Sequence, residues 1–144
     1  MKSVVLTLSF LLLCLGVSAQ SDHDQALVKK AISNYVEAFY QADTLLAYES
    51  VARELAKRGY YTSNGQIREA TMSFDQLVAL AKRWNATKNI TAATPRKITV
   101  YEVLDKIASA KVEAQWGIDY FHLAKIQGRW MIINVLWQDY PPAK

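Results

Sequence analysis

The chain has 144 residues, a net charge of +4 at neutral pH and one cysteine, Cys14. That length suits a single domain. The basic residues are scattered, and no basic stripe with interleaved aromatic residues occurs, which argues against nucleic-acid binding. With one cysteine the chain cannot close an internal disulfide, so its stability must come from a hydrophobic core.

Residues 1–19 have the layout of a secretory signal peptide. Lys2 gives a positive start, an apolar run follows, and small residues precede a cut after Ala19. The apolar run is shorter than the about 20 residues that a membrane-spanning helix needs. Cleavage would leave residues 20–144 as one exported domain, periplasmic or secreted, with no attachment to a membrane.

Two alternatives for this segment remain open. It could stay as an uncleaved membrane anchor, or it could carry a lipid on Cys14. Leu13 disfavours the lipid anchor, because a small residue usually stands at that place.

Two helices are predicted in the first half of the domain. Ser21 and Asp24 have the spacing of a capping box, and a broad apolar stripe follows it to about Ala42. The stripe consists of Leu27, Val28, Ala31, Ile32, Tyr35, Val36 and Phe39. Asp43 or Thr44 then caps a second helix, which is predicted to continue through Leu46, Tyr48, Val51 and Leu55 and to end near Gly59.

A hairpin and a third helix come next. Asn64-Gly65 between two short runs predicts a tight turn, because both turn residues must take positive φ. Ser73 and Gln76 form a second capping box, which opens a helix to Trp84. The polar segment 85–94 follows and holds two glycosylation sequons, at Asn85 and Asn89. Whether either is used depends on the host organism.

The rest of the chain has the pattern of strands. Four are predicted, at 98–104, 107–116, 118–126 and 130–137. Helices gathered first and strands last indicate an α+β fold with a mainly antiparallel sheet.

The last two strands are apolar on both faces. Side chains alternate across a strand, so Asp119 shares a face with Phe121, while Tyr120 shares the other with His122. A two-residue turn at Gln127-Gly128 predicts a register that pairs Ile126 with Arg129, His122 with Ile133, Tyr120 with Val135 and Phe121 with Asn134. A sheet with one wet face should alternate apolar with polar residues. The sheet is therefore expected to be covered on both sides.

The three helices can cover only one side of that sheet. A second copy of the chain is the simplest cover for the other side, since two-fold dimers are the commonest oligomers. The alternative is that the hairpin and segment 85–94 wrap around it.

Residues 107–137, with the sequence IASAKVEAQWGIDYFHLAKIQGRWMIINVLW, and the Pro95–Ile98 stretch resemble the nuclear transport factor 2-like superfamily. The nearest branch is labelled putative lumazine-binding and is related to SnoaL-like polyketide cyclases and ketosteroid isomerases. The resemblance covers residues 20–144. It implies a cystatin-like, cone-shaped barrel of three helices on a curved sheet, a central cavity, dimerisation through the sheet and a flavin-precursor-like ligand.

Enzymes on this fold carry an Asp base, or a set of Asp, Arg, His and Tyr residues, inside the cone. The candidates here are His122 as general acid or base and Tyr120 as hydrogen-bond donor. A lone histidine on a strand is more often a structural core group. Asp119 lies on the opposite face from His122, so the two cannot form a directly bonded dyad.

A small, partly apolar ligand is also expected. The residues proposed to bind it are Tyr35, Trp84, Trp116, Tyr120, His122 and Asn134. The aromatic ones could equally be ordinary core residues. No metal site is expected, because His23 is far in sequence from His122 and no paired histidine or thiol spacing occurs. No cofactor is expected either, since no nucleotide-binding or nucleophile motif is present.

Three functional hypotheses follow. The first is an exported, dimeric ligand-binding protein with no assigned reaction. The second is an isomerase, dehydratase or cyclase that uses His122. The third is an interaction domain with a vestigial cavity, and the fold alone cannot separate the three.

Overall fold

The computed structural model describes residues 2–91 and 93–141, with side chains from residue 21 onward. The elements follow the predicted order of two helices, a hairpin, a helix and four strands. They are α1 (Lys2–Tyr40), α2 (Thr44–Ser50), β1 (Val51–Ser63), β2 (Gln66–Met72), α3 (Phe74–Trp84), β3 (Lys97–Val103), β4 (Ile107–Ala114), β5 (Gly117–Ile126) and β6 (Arg129–Gln138).

The N-terminal helix continues through the place where a helix start was expected. Because α1 passes through Ser21, the predicted capping box does not begin a helix there. Asp24 instead accepts hydrogen bonds from Lys125 Nζ and from Trp130 Nε1, which attach α1 to the β5–β6 hairpin. The predicted signal peptide, residues 1–19, lies outside the described side chains and stays a prediction. In the described part of the chain, no helix has the length and apolar character needed to cross a membrane.

The second helix is much shorter than predicted. It ends at Ser50, and the extended residue Val51 begins strand β1, so the expected helix to Gly59 is wrong. Burial in β1 alternates, with Leu55, Lys57 and Gly59 buried and the residues between them exposed. Pairing of β1 with β6 on one side and β2 on the other outweighs the helical propensity of this segment.

The local signals around β2 and α3 are confirmed. Asn64 and Gly65 both have positive φ, as a tight hairpin turn requires. Ser73 caps α3, and Gln76 completes the capping box. Asn85, in the first sequon, is buried, and its amide bonds the backbone of Tyr40 and Ile90. A glycan there would break those bonds, whereas Asn89 is exposed.

The six strands form one curved, unclosed sheet in the order β2-β1-β6-β5-β4-β3. The β1–β6 pair is parallel and the other pairs are antiparallel, which confirms the mainly antiparallel α+β prediction. The inner face of the sheet packs against the helices. Its buried residues include Val112, Asp119, Phe121, Leu123 and Val135.

The register of the last hairpin differs from the prediction by one residue. Ile126 does pair with Arg129, but a bulge at Ile133 lies between the Leu123–Ile132 and His122–Asn134 pairs. Beyond the bulge, Tyr120 pairs with Leu136 and Phe121 with Val135, so the predicted partners are wrong. A bulge inserts one unpaired residue, which a register counted from the turn cannot foresee.

The outer face of the sheet is open in the single chain. It carries the exposed side chains of Tyr101, Ile107, Tyr120, His122 and Leu136. Neither the hairpin nor segment 85–94 covers these residues, so the expected cover on both sides is not supplied by this chain alone.

Gly59 makes room for an aromatic side chain of the neighbouring strand. A Cβ atom at Gly59 would overlap the Trp137 indole, which lies across this position of β1. We predict that Gly59→Ala lowers the free energy of unfolding by about 1–3 kcal/mol, because the indole must move. Urea denaturation measures this loss.

The control is Gly59→Ala in a Trp137→Ala background. There the obstruction is gone, so the same substitution should be nearly neutral. An equal loss in both backgrounds would contradict the packing described here.

Candidate functional site

A cavity of about 310 Å³ opens between the sheet, α1 and α3. Its walls are largely aromatic and otherwise apolar, and two of the residues that line it are charged, Lys57 and Asp139. The other lining residues are Phe39, Tyr61, Met72, Leu80, Trp84, Trp116 and Trp137. A concave, mostly apolar site with a few polar groups is what small-molecule sites look like.

The aromatic rings that line the cavity stabilise one another's orientation through ring–ring contacts. Trp116 packs perpendicular to Trp84, with ring centroids 5.8 Å apart, and tilts against Phe39 at 5.2 Å. On the other side, Tyr61 and Trp137 are nearly parallel, with centroids 6.1 Å apart. Such contacts favour fixed ring orientations, so the cavity is preformed rather than collapsed.

Lys57 belongs to a buried polar network behind the cavity. Its Nζ donates to the Tyr35 hydroxyl at 2.5 Å, and that hydroxyl donates to Asp119 Oδ2 at 2.8 Å. The Trp116 indole N–H donates to Asp119 Oδ1 at 3.1 Å. Lys57 Nζ also lies 3.8 Å from Asp119 Oδ2, so the two charges form a buried ion pair. The network connects α1, β1 and β5.

Burial changes the protonation chemistry of this network. It lowers the pKa of the Lys57 ammonium, and the negative charge of Asp119 offsets only part of that effect. Burial also raises the pKa of the Tyr35 hydroxyl well above its usual value, and Asp119 raises it further. Tyr35 therefore keeps its proton and donates a hydrogen bond to Asp119. Lys57 releases its proton more readily than an exposed lysine does.

The structure brings three of the expected ligand-binding residues together. Trp84 and Trp116 line the cavity, and Tyr35 lies behind it in the Lys57 network. The three residues form a fixed aromatic cluster that joins α1, α3 and the β4–β5 turn.

The other three expected residues lie on the outer face. His122 Nδ1 is 3.1 Å from Asn134 Nδ2, and Tyr120 stacks on Tyr101 with centroids 6.3 Å apart. None of the three lines the cavity, because the sheet separates them from it. Catalysis by His122 and Tyr120 stays a prediction, without a link to this cavity.

Sequence reasoning missed the central residue of the site, Lys57. It was assigned to a helix, and only the alternation of a strand turns Leu55, Lys57 and Gly59 inward together. One signal could have pointed to it. Asp119 shares the apolar face of β5 with Phe121 and Leu123, and a buried carboxylate needs a cation or hydrogen-bond donors.

No group of three or more His, Cys, Asp or Glu side chains suited to a metal ion occurs among the residues that the structure describes. The donors around Asp119 are nitrogen and oxygen groups of Lys57, Tyr35 and Trp116. Together these groups can bind an oxygen atom of a ligand and transfer a proton.

Comparison with known families identifies the chain. The family model described as putative lumazine-binding matches residues 23–138. The chain belongs to that family. This confirms the resemblance to the nuclear transport factor 2-like superfamily. A comparison with curated protein sequences gave no significant match.

Solved structures share the fold at low sequence identity. An NTF2-like protein of unknown function from Silicibacter pomeroyi DSS-3 has a TM-score of 0.62 and 17% identity, covering 83% of this chain and 98% of that one. An NTF2-like protein of unknown function from Methylobacillus flagellatus KT gives 0.63 and 16%, with 83% and 94% covered. A putative scytalone dehydratase from Novosphingobium aromaticivorans gives 0.57 and 10%, with 86% and 89% covered.

The Lys57–Asp119 pair can be tested by removing one charge and then the other. We predict that Asp119→Asn lowers the free energy of unfolding by about 3–5 kcal/mol at neutral pH, because Lys57 is left buried without its counter-charge. Urea denaturation followed by tryptophan fluorescence measures the loss.

Adding Lys57→Met to Asp119→Asn should restore most of the stability, since no unpaired charge remains. A double variant that is no more stable than Asp119→Asn alone would show that the two side chains are not coupled.

Proposed function

We propose that this is an exported protein that binds a small, planar, partly apolar molecule in the cavity, with one ligand oxygen held by Lys57. The observation that carries the proposal is a buried ammonium on a largely aromatic wall. Export rests on the N-terminal sequence pattern.

Size and shape limit the ligand. About 310 Å³ is near the lower end of small-molecule pockets, which suits one fused ring system of two or three rings. The cavity tryptophans, Trp84, Trp116 and Trp137, offer faces and edges for such rings. A long flexible or highly charged molecule would fit these walls poorly.

Lys57 selects for an oxygen on that ligand. Its ammonium has three donors, and one of them goes to Tyr35. Another can bond a carbonyl or anionic oxygen in the cavity, and hydrogen bonds from a charged donor are stronger than neutral ones. The family's name supports this ligand class, because lumazine is a flat bicyclic molecule with two carbonyl groups.

We predict that lumazine and naphthalene both bind, and that only lumazine depends on Lys57. Lys57→Met should weaken lumazine binding about 10- to 100-fold, the value of one hydrogen bond to a charged group. Naphthalene, which has the same two-ring shape and no oxygen, should bind the variant as well as the wild type.

The indole N–H resonances in NMR spectra report on this binding. Signals of the cavity tryptophans should move on titration. Trp130, whose indole bonds Asp24 away from the cavity, is an internal control. Lys97→Met is the matched control, since Lys97 is a highly exposed lysine on β3. Lumazine that leaves the cavity indoles unmoved, or that binds Lys57→Met equally well, would overturn the proposal.

An isomerase, dehydratase or cyclase is the second candidate. The observation that favours it is the proton-carrying network of Lys57, Tyr35 and Asp119 beside the cavity. An enzyme on this chain would use those groups at the cavity in general acid–base steps. His122 and Tyr120 could serve only a substrate on the outer face.

A second copy of the chain is our proposed cover for the outer face. Tyr101, Tyr120 and Leu136 are each about half exposed there, and Ile107 is exposed on the same face. Lys111 and Glu113 form an ion pair on the same face. In a two-fold contact each copy presents this same pair, so positive and negative charges balance across the contact. The patch therefore offers apolar area together with balanced charge.

We predict a dimer at micromolar concentration in sedimentation velocity. Tyr120→Asp should shift it to a monomer, because a charge would be buried in the contact. Leu45→Asp, on the exposed surface of α2, is the matched control and should remain dimeric. A monomeric wild type would contradict the contact.

A further inference from the structure

We propose that Lys57 is a nucleophilic amine that condenses reversibly with an aldehyde or ketone group on the cavity's aromatic ligand. This inference rests on the proposed function, since it needs the same cavity to accept an aromatic ring system. It specifies that the ligand oxygen near Lys57 belongs to a carbonyl group, and it adds a covalent step.

The placement of Lys57 suits this role. Its side chain is only 7% exposed and lines the cavity, and its amine also bonds the Tyr35 hydroxyl. Strand β1 lies between β2 and β6, which fixes the backbone of Lys57. The ammonium also lies 5.2 Å from the Tyr35 ring centre and 5.8 Å from that of Trp137. An aromatic carbonyl compound that stacks in the cavity would bring its carbon to a held nitrogen, and such positioning favours reaction.

The free amine is the reactive form of a lysine. Ionisable groups near Lys57 are Tyr35 on α1, Asp119 on β5, Tyr61 on β1 and Asp139 after β6. Burial lowers the pKa of Lys57 despite the charge of Asp119. A larger share of Lys57 is therefore unprotonated near neutral pH than of an exposed lysine.

The network also provides a path for the proton. Tyr35 can pass its proton to Asp119 as it accepts one from Lys57, so no tyrosinate forms and a neutral amine and a neutral carboxyl group result. The amine nitrogen then bonds the carbonyl carbon, and one nitrogen proton moves to the oxygen. The proton stored on Asp119 returns through Tyr35 to that hydroxyl, which leaves as water. The product is the protonated imine, and no oxidant or reductant is consumed.

Trapping with a hydride donor tests the proposal. The full chain is incubated with 2-naphthaldehyde and sodium cyanoborohydride, which reduces the imine to a stable secondary amine. Intact-mass measurement and peptide mapping then locate the adduct. We expect one naphthylmethyl group per chain, on Lys57, formed about tenfold or more faster than on exposed lysines, because the cavity holds the ring beside this amine.

Four variants distinguish the contribution of the Lys57 amine from that of its surroundings. Lys57→Arg keeps the charge but cannot form the imine, so the rapid adduct should vanish in a folded protein. Lys57→Met should lose it too, whereas Lys97→Met should keep it. Tyr35→Phe removes the proton path, so trapping should slow about tenfold while naphthalene still moves the cavity indoles.

The pH profile gives a further readout. Trapping at Lys57 should persist to lower pH than trapping at Lys97, because the lowered pKa leaves free amine where exposed lysines are protonated. Identical pH profiles at the two lysines would overturn the inference.

The outcomes also distinguish this inference from the proposed function. If naphthalene and lumazine move the cavity indoles but labelling spreads evenly over the lysines, the covalent step is wrong and ligand binding stands. If neither compound moves the indoles and Lys57 is not labelled, both fall. Selective labelling that naphthalene suppresses by competition supports both.

Discussion

The buried contact between Lys57, Tyr35 and Asp119 is the constraint around which the site is arranged. It joins the long helix to the middle of the sheet, because the three residues come from α1, β1 and β5. Asp119 has no exposed surface, so its charge cannot turn to water without the domain opening. The positions of these three elements are therefore set by a polar contact in addition to apolar packing.

Stability alone is a poor reason for such a pair. Removing two charges from water is costly, and replacing a buried ion pair by apolar residues of similar volume is often neutral or stabilising by about 1–4 kcal/mol. The inner face has many apolar residues that show what such packing would look like, among them Phe121 and Leu123. A pair kept at this cost, with its cation on a cavity wall, is better explained by what the cation binds.

How far the sequence predicted the structure depended on the range of the interactions. Two local signals were reliable, since the Asn64-Gly65 turn and the Ser73–Gln76 capping box form as expected, whereas the Ser21–Asp24 box does not begin a helix. The error at Val51–Gly59 arose because a helix-like segment became a strand that pairs with β6, far away in sequence, as well as with its hairpin neighbour β2. The same error hid Lys57, whose burial is visible only once β1 is known to be a strand.

The cavity residues divide in the same way. Tyr35, Trp84 and Trp116 were found because large aromatic residues are natural candidates for a planar ligand. The outer-face residue His122 was chosen by its chemistry alone, and pattern could not say which face of the sheet the cavity would use. The alternation of side chains along β5 correctly predicted that Asp119 and His122 lie on opposite faces of the sheet.

Irregularities in strand pairing connect the fold to the cavity. Pairing shifts between Val51 and Ala56 in β1–β6, at Tyr101 in β3–β4 and at Ile133 in β5–β6. Bulges bend strands and increase their twist, so three of them in one sheet favour curvature. A curved sheet meets straight helices closely at some places and leaves space at others. That space is the cavity, to which β1 and the β4–β5 turn present Lys57, Tyr61 and Trp116 from the inner side. The bend and the inward-facing lysine thus belong to one structural solution: the curvature creates a largely apolar space, and the ion pair holds a lysine on its wall.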